Sequence, residues 1–159
     1  MTREILKELT ENYKQQRLIY SGMLDLASEQ LAILEKNQGQ VYADEIESLL
    51  GRRNNLLDDI NKKNWKNKQL QLIIVQELGI EEFVLAKLES KIEADQFQAL
   101  KEQISGLSKL LEMISEKDQR SQDLMQQSIN SKRHQKAPSS SRQASQAYKQ
   151  SMEQKADKS

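Results

Sequence analysis

The chain of 159 residues carries 24 Lys+Arg against 24 Asp+Glu, one His, one Pro, no Cys, 36% hydrophobic residues and 4% aromatics. The length suits one ordinary domain, but the hydrophobic share lies below the usual ~45–50%, which excludes a thick globular core and leaves an elongated helical bundle as the expected fold. Without cysteine there is no disulfide scaffold, thiolate metal site or cysteine nucleophile, and the cytoplasm is the expected compartment.

Residues 1–9 mix acids with apolar residues and lack the basic end, apolar stretch and cleavage site of a secretory signal, so no leader is expected to be removed. From Thr2 to Lys36, apolar residues at Leu6, Leu9, Tyr13, Tyr20, Leu24, Ala27, Leu31 and Leu34 recur at steps of mostly three, four or seven. That spacing lines one face of a long first helix. Residues 37–40 break it, with Gly39 where a helix C-terminus commonly turns left-handed. So short a loop predicts an antiparallel neighbour.

The spacing predicts a second long helix over 42–78, with Ile46, Leu49, Leu50, Leu56, Leu57, Ile60, Leu70, Ile74 and Leu78 as its stripe. Asp44, Glu45 and Glu47 in its first turns suit the helix dipole. Residues 61–69 hold four lysines and three asparagines and interrupt the stripe. The richest apolar run, 70–75, stops at Gln76 and Glu77, far short of the roughly 20 apolar residues of a membrane span, so no membrane insertion is expected. Gly79 is a C-cap candidate. Residues 81–88, with Phe83, Val84, Leu85 and Leu88, read as a short connecting helix that closes one end of the bundle.

Phe97, Leu100, Ile104, Leu107, Leu111 and Ile114 alternate steps of three and four and predict a third long helix. The same register continues through Asp118, Ser121, Met125 and Ser128, so the stripe fades into polar residues while helix-compatible composition runs to about 130. The helix is therefore expected to outlast its packing partners. After residue 131, Ser, Gln, Lys, Arg and Ala dominate, and almost nothing apolar remains except Tyr148 and Met152. The expected organisation is an all-α, elongated antiparallel three-helix bundle over 1–130 and a disordered basic tail over 131–159. The two parts carry opposite charge, 17 basic against 22 acidic side chains in the first and 7 against 2 in the second.

No catalytic constellation emerges, and neither an enzyme nor a bound cofactor or metal is expected. His134 is the sole imidazole and stands beside Lys132, Arg133 and Lys136. The pairs Asp58–Asp59 and Glu81–Glu82 are adjacent in sequence and point to different parts of a helix surface. The five glycines are isolated and form no phosphate loop. Lys62, Lys63, Lys66 and Lys68 around Trp65 could contact phosphates and stack a base, but they splay around the helix on an acidic body, so nucleic acid is the weaker reading. A helix that stays apolar at Ile114, Leu124, Met125 and Ile129 offers a groove to a partner's amphipathic helix. The same side chains could instead pack on the first helix or close a homodimer.

The order of long helix, short Asn/Gln/Gly break, second long helix, Leu-Gly stop, short helix, third long helix and polar tail resembles the FlgN-type flagellar export chaperones. Locally the resemblance rests on Leu31-Ala-Ile-Leu-Glu-Lys-Asn37, Ala43-Asp-Glu-Ile-Glu-Ser-Leu-Leu50, Arg52-Arg-Asn-Asn-Leu-Leu57, Glu77-Leu-Gly79 and Leu100-Lys-Glu-Gln-Ile-Ser-Gly-Leu-Ser-Lys-Leu110. Lys117, Asp118 and Ser121 stand where the family usually has an Asn-x-x-Asn segment. The resemblance covers roughly 1–130. It implies a chaperone that holds the C-terminal helical region of hook–filament junction proteins and delivers them to a flagellar type III export gate component. It implies client contact by Ile114, Leu124, Met125 and Ile129, and export-gate docking by the tail tyrosine, Tyr148. A structural coiled-coil module that only oligomerises is the alternative, and a nucleic-acid binder using Lys62–Lys68 is the third reading.

Overall fold

The computed structural model describes residues 1–39 and 43–132. Their regular structure is entirely α-helical, as α1 (Thr2–Lys36), α2 (Ala43–Leu78), α3 (Leu85–Leu88) and α4 (Ala94–Lys132). The chain is thus all-α, and α1 has the bounds its periodicity predicts. The connecting helix is shorter than expected, because only Leu85–Leu88 coils and Val84 before it is extended. Of the expected tail, residues 133–159 lie outside the described residues, and His134 and Tyr148 with them. No described helix is long and apolar enough to cross a membrane.

Both long-helix ends followed by turns close by the same device. At the end of α1, Gln38 N–H bonds to the Glu35 carbonyl at 3.4 Å and Gly39 N–H to the Leu34 carbonyl at 2.6 Å. At the end of α2, Gly79 N–H bonds to Gln76 and Ile80 N–H to Val75. This pair of reversed bonds satisfies carbonyls that the helix itself leaves open, and it needs a left-handed residue just past the helix. Gly79 fills that place with φ 66°; at α1 the place belongs to Gln38, φ 56°, and Gly39 follows it at φ 80°.

The described residues fall into two compact units, Met1–Gly22 with Leu56–Glu112, and those within Met23–Asn55 together with 113–132. In the first unit, α2 runs antiparallel to α1, since Gln16 bonds Asn64, Asn12 bonds Asn67 and Tyr13 bonds Gln71. There α4 runs parallel to α1, with Gln96 donating to the Arg3 carbonyl and Arg17 to Gln103, both at 3.0 Å. Leu6, Leu9, Leu70, Ile74, Leu88 and Leu100 form the core. Fully buried Leu88 brings α3 into this core, and Phe83 and Leu85 pack around it.

The lysine-asparagine stretch does not interrupt the packing of α2. Asn67 is buried and bonds both Asn12 and Gln16, and Gln16 also donates to Asn64 at 2.6 Å. Amides can occupy inward positions here because each finds a partner across the seam, which removes most of the cost of desolvating them. The lysines diverge, Lys66 toward Glu8 at 3.2 Å and Lys63 toward Gln15, and Trp65 stands 67% exposed.

In the second unit, α4 approaches the hairpin between α1 and α2 so closely that a Cβ on Gly39 would overlap the Leu124 backbone carbonyl. Nothing lies within 4 Å of the corresponding position on Gly79. Gly39→Ala is expected to cost about 2–4 kcal/mol, from left-handed strain plus forced displacement of α4, and Gly79→Ala only about 1–2 kcal/mol from strain alone. Urea unfolding of both variants checks the order.

Burial raises the Tyr13 phenol above its ordinary 10.0, outweighing the opposite pull of the hydrogen bond from Gln71, and burial raises Tyr20 likewise. A raised folded-state value means a stabilisation that is whole below about pH 10 and is lost as pH climbs through the folded-state values. Unfolding free energy measured against pH should therefore decline above about pH 10, and less steeply in a Tyr13→Phe, Tyr20→Phe chain.

Candidate partner-binding site

Side chains expected to receive a partner helix lie on the part of α4 that belongs to the second unit. Ile114, Asp118, Ser121, Met125 and Ser128 follow one another at steps of four, three, four and three, which puts them on one face. That face turns inward, with Ile114 8%, Asp118 5%, Ser121 0% and Met125 1% exposed. The expectation that α4 outlasts its packing partners is therefore corrected. The register continues past Ile114 into the interior, and only its chemistry changes.

What admits a carboxylate to the interior is an arginine at the matching level of α2. Arg53 stands four residues after Leu49, at a position where the stripe of α2 otherwise continues inward, and is 2% exposed. Its Nη1 donates to Asp118 Oδ1 at 2.8 Å and to Gln30 Oε1 at 2.9 Å, while its Nη2 donates to Asp118 Oδ2 at 2.7 Å. This two-pronged geometry is the strongest arrangement the two groups can make and offsets much of the cost of removing both charges from water. The layer is incompletely paired, since Gln30 Nε2 and Ser121 Oγ are buried without a hydrogen-bond partner among the described residues.

Beyond the polar layer the interior becomes apolar. Met125 packs with Leu34 of α1 and Ile46 of α2, and Ile33, Leu50 and Leu124 surround them. Of the four predicted contact residues on α4, Ile114 and Met125 are thus buried, Met125 against Leu34 and Ile46 of the same unit, and Leu124 and Ile129 are half-buried. The fifth, Tyr148, lies outside the described residues. Two exposed ion pairs, Arg52–Glu29 at 3.6 Å and Arg120–Glu35 at 3.8 Å, flank the seams. On the α1–α2 hairpin lies a groove of about 720 Å³, with Ile33 and Leu49 among its lining and Glu29, Glu45, Lys36 and Arg52 on its walls.

Gln30 and Arg53 are residues that the apolar periodicity passed over, and Asp118 is one that it placed in register without its burial. The signal was a polar residue standing at a stripe position in each of three helices. It becomes legible only when the helices are aligned and the three positions prove to share one level.

A scan against protein-family models, a search of curated proteins and a search of solved structures each find no match to the chain.

The buried pair has a clear mutational signature. Asp118→Leu leaves the Arg53 guanidinium without its carboxylate and is expected to cost about 3–5 kcal/mol. The Arg53→Met, Asp118→Leu double replacement should lose much less than either single change, or gain stability, because neither charge then has to be desolvated. Denaturant unfolding of the three variants tests this, and a double variant as unstable as the sum of the singles would contradict it.

Proposed function

We propose that the chain is a cytoplasmic export chaperone of the FlgN kind. In this reading it binds the C-terminal helical region of hook–filament junction proteins, keeps them from assembling early and hands them to a component of the flagellar export gate. The observation that supports the reading is that the α1–α2 hairpin of the second unit packs against a helix. It holds that helix through Leu34 and Ile46 against Met125 and through Arg53 against Asp118. The resemblance of residues 1–130 to that family supplies the identity of the client.

The physical work of such a chaperone is masking. A client's amphipathic terminal helix exposes an apolar stripe that favours premature assembly, and docking removes that area from water at about 25 cal/mol per Å². Delivery requires release, which sets the useful affinity between micromolar and nanomolar, roughly −8 to −12 kcal/mol. Residues 131–159, with 7 basic and 2 acidic side chains, would give the chain a basic segment for an acidic docking surface at the gate, with Tyr148 in it. No nucleotide chemistry is needed for either step.

The test is calorimetric titration with a synthetic peptide of a junction protein's C-terminal helix. Leu124→Asp with Ile129→Asp should lower its affinity by at least tenfold while circular dichroism remains helical, since each charge forfeits on the order of 1 kcal/mol or more of apolar burial. Unchanged affinity in a helical variant would remove these residues from the site. No binding to the unaltered chain would overturn the reading as a whole.

A further inference from the structure

Ile114 and Met125 can touch a client only if the surface they now face is uncovered. We propose that the 113–132 stretch of α4 is a removable cover. When it parts from the α1–α2 hairpin of its unit, the seam admits a partner's amphipathic helix that carries a carboxylate in register with Arg53. This rests on the chaperone reading and names the place and chemistry of its site.

The composition of the seam is what makes this stretch separable. In the first unit, the face of α4 brings fully buried Leu100, buried Leu107 and half-buried Phe97 and Ile104 to the interior. In the second, two of the four buried positions, Asp118 and Ser121, are polar. Parting an apolar seam exposes area that water disfavours, whereas parting a polar one returns ions, amide and hydroxyl to water, which solvates them well. Two groups gain outright, because Gln30 Nε2 and Ser121 Oγ are unpartnered in the closed seam. An element held in this way opens locally at lower free energy than its apolar continuation.

The resident helix also specifies its replacement. It presents an apolar residue at Ile114, a carboxylate four positions on at Asp118, a small residue at Ser121 and an apolar residue at Met125. A client helix with an apolar residue, an acid four positions later and an apolar residue seven after that would meet the same hairpin. Its carboxylate takes the Arg53 guanidinium while Asp118 returns to water. The released Ile114, Leu124, Met125 and Ile129 then cover the client's other side. A client with a lysine at the acid's position would set two cations together and be rejected.

The chain has no cysteine, so introduced thiols are unique. Glu35 and Arg120 are exposed partners across the seam, and replacing so exposed an ion pair costs little. Glu35→Cys, Arg120→Cys bridged by a bis-maleimide with a reducible linker should bind the junction-protein peptide at least tenfold more weakly than the unbridged double variant, with affinity restored on reduction. Arg53→Met, Asp118→Leu, which closes the seam with apolar contacts, should weaken the peptide similarly. Hydrogen exchange of the free chain should be faster across 113–132 than across 100–112. Equal affinity of bridged and unbridged chains would overturn the inference and leave the chaperone reading standing, with the client on an outer surface such as the hairpin groove. If the peptide fails to bind even the unbridged chain, the chaperone reading falls. Uniform protection along α4 would then overturn the cover as well.

Discussion

Helices of 35, 36 and 39 residues present more inward-facing positions than a chain with 36% hydrophobic residues fills with apolar side chains. Polar residues must therefore enter the seams, and each must find a partner there or cost stability. The two compact units answer this constraint differently. The first uses neutral amides, Asn12, Gln16, Asn64 and Asn67, which bond each other across α1 and α2. The second uses charge, with Arg53 bridging Gln30 and Asp118.

The two solutions have different consequences for specificity and motion. Amides hold their partners by several weak directional bonds and fix the register of α1 against α2, since a slip of one residue along either helix would strand them. The arginine–carboxylate pair ties α4 to α2 and positions the apolar cluster around Met125 beyond it. Such a pair adds little net stability over an apolar equivalent but punishes any arrangement in which one partner is left alone. It therefore selects one packing of the second unit without making that packing strong, a combination that suits a surface meant to exchange occupants.

Element type and most boundaries were legible in the chain because helix periodicity and end signals are local. The step-of-three-and-four spacing located α1, α2 and α4, and Gly79 marked the end of α2. Direction was legible at apolar positions such as Leu9, Ile74 and Leu100, all wholly buried, although Leu111 of the same α4 stripe stands 46% exposed. It failed where polarity was equated with the surface. Asp118 and Ser121 continue the α4 register as polar residues, and Asn67 lies in a stretch that breaks the apolar stripe of α2, yet all three are buried. The error has one cause, which is that the desolvation cost of a polar group depends on its partner, and the partner is remote in sequence. Asp118 lies 65 residues from Arg53, and Asn67 lies 55 from Asn12.

By itself, then, the sequence determined that this chain is helical, where its long helices lie, which apolar faces seek burial, and how charge divides between residues 1–130 and 131–159. Those properties follow from spacing, caps and composition, which act within a few residues. Only the tertiary structure decided that the polar continuation of α4 faces inward, that Gln38 and not Gly39 takes the first left-handed place after α1, and that Ile114 and Met125 are buried. Each depends on what another helix brings to the same level. A guanidinium from α2 makes a buried aspartate tolerable, and the close passage of α4 over the hairpin reserves the second left-handed place for a residue without a Cβ.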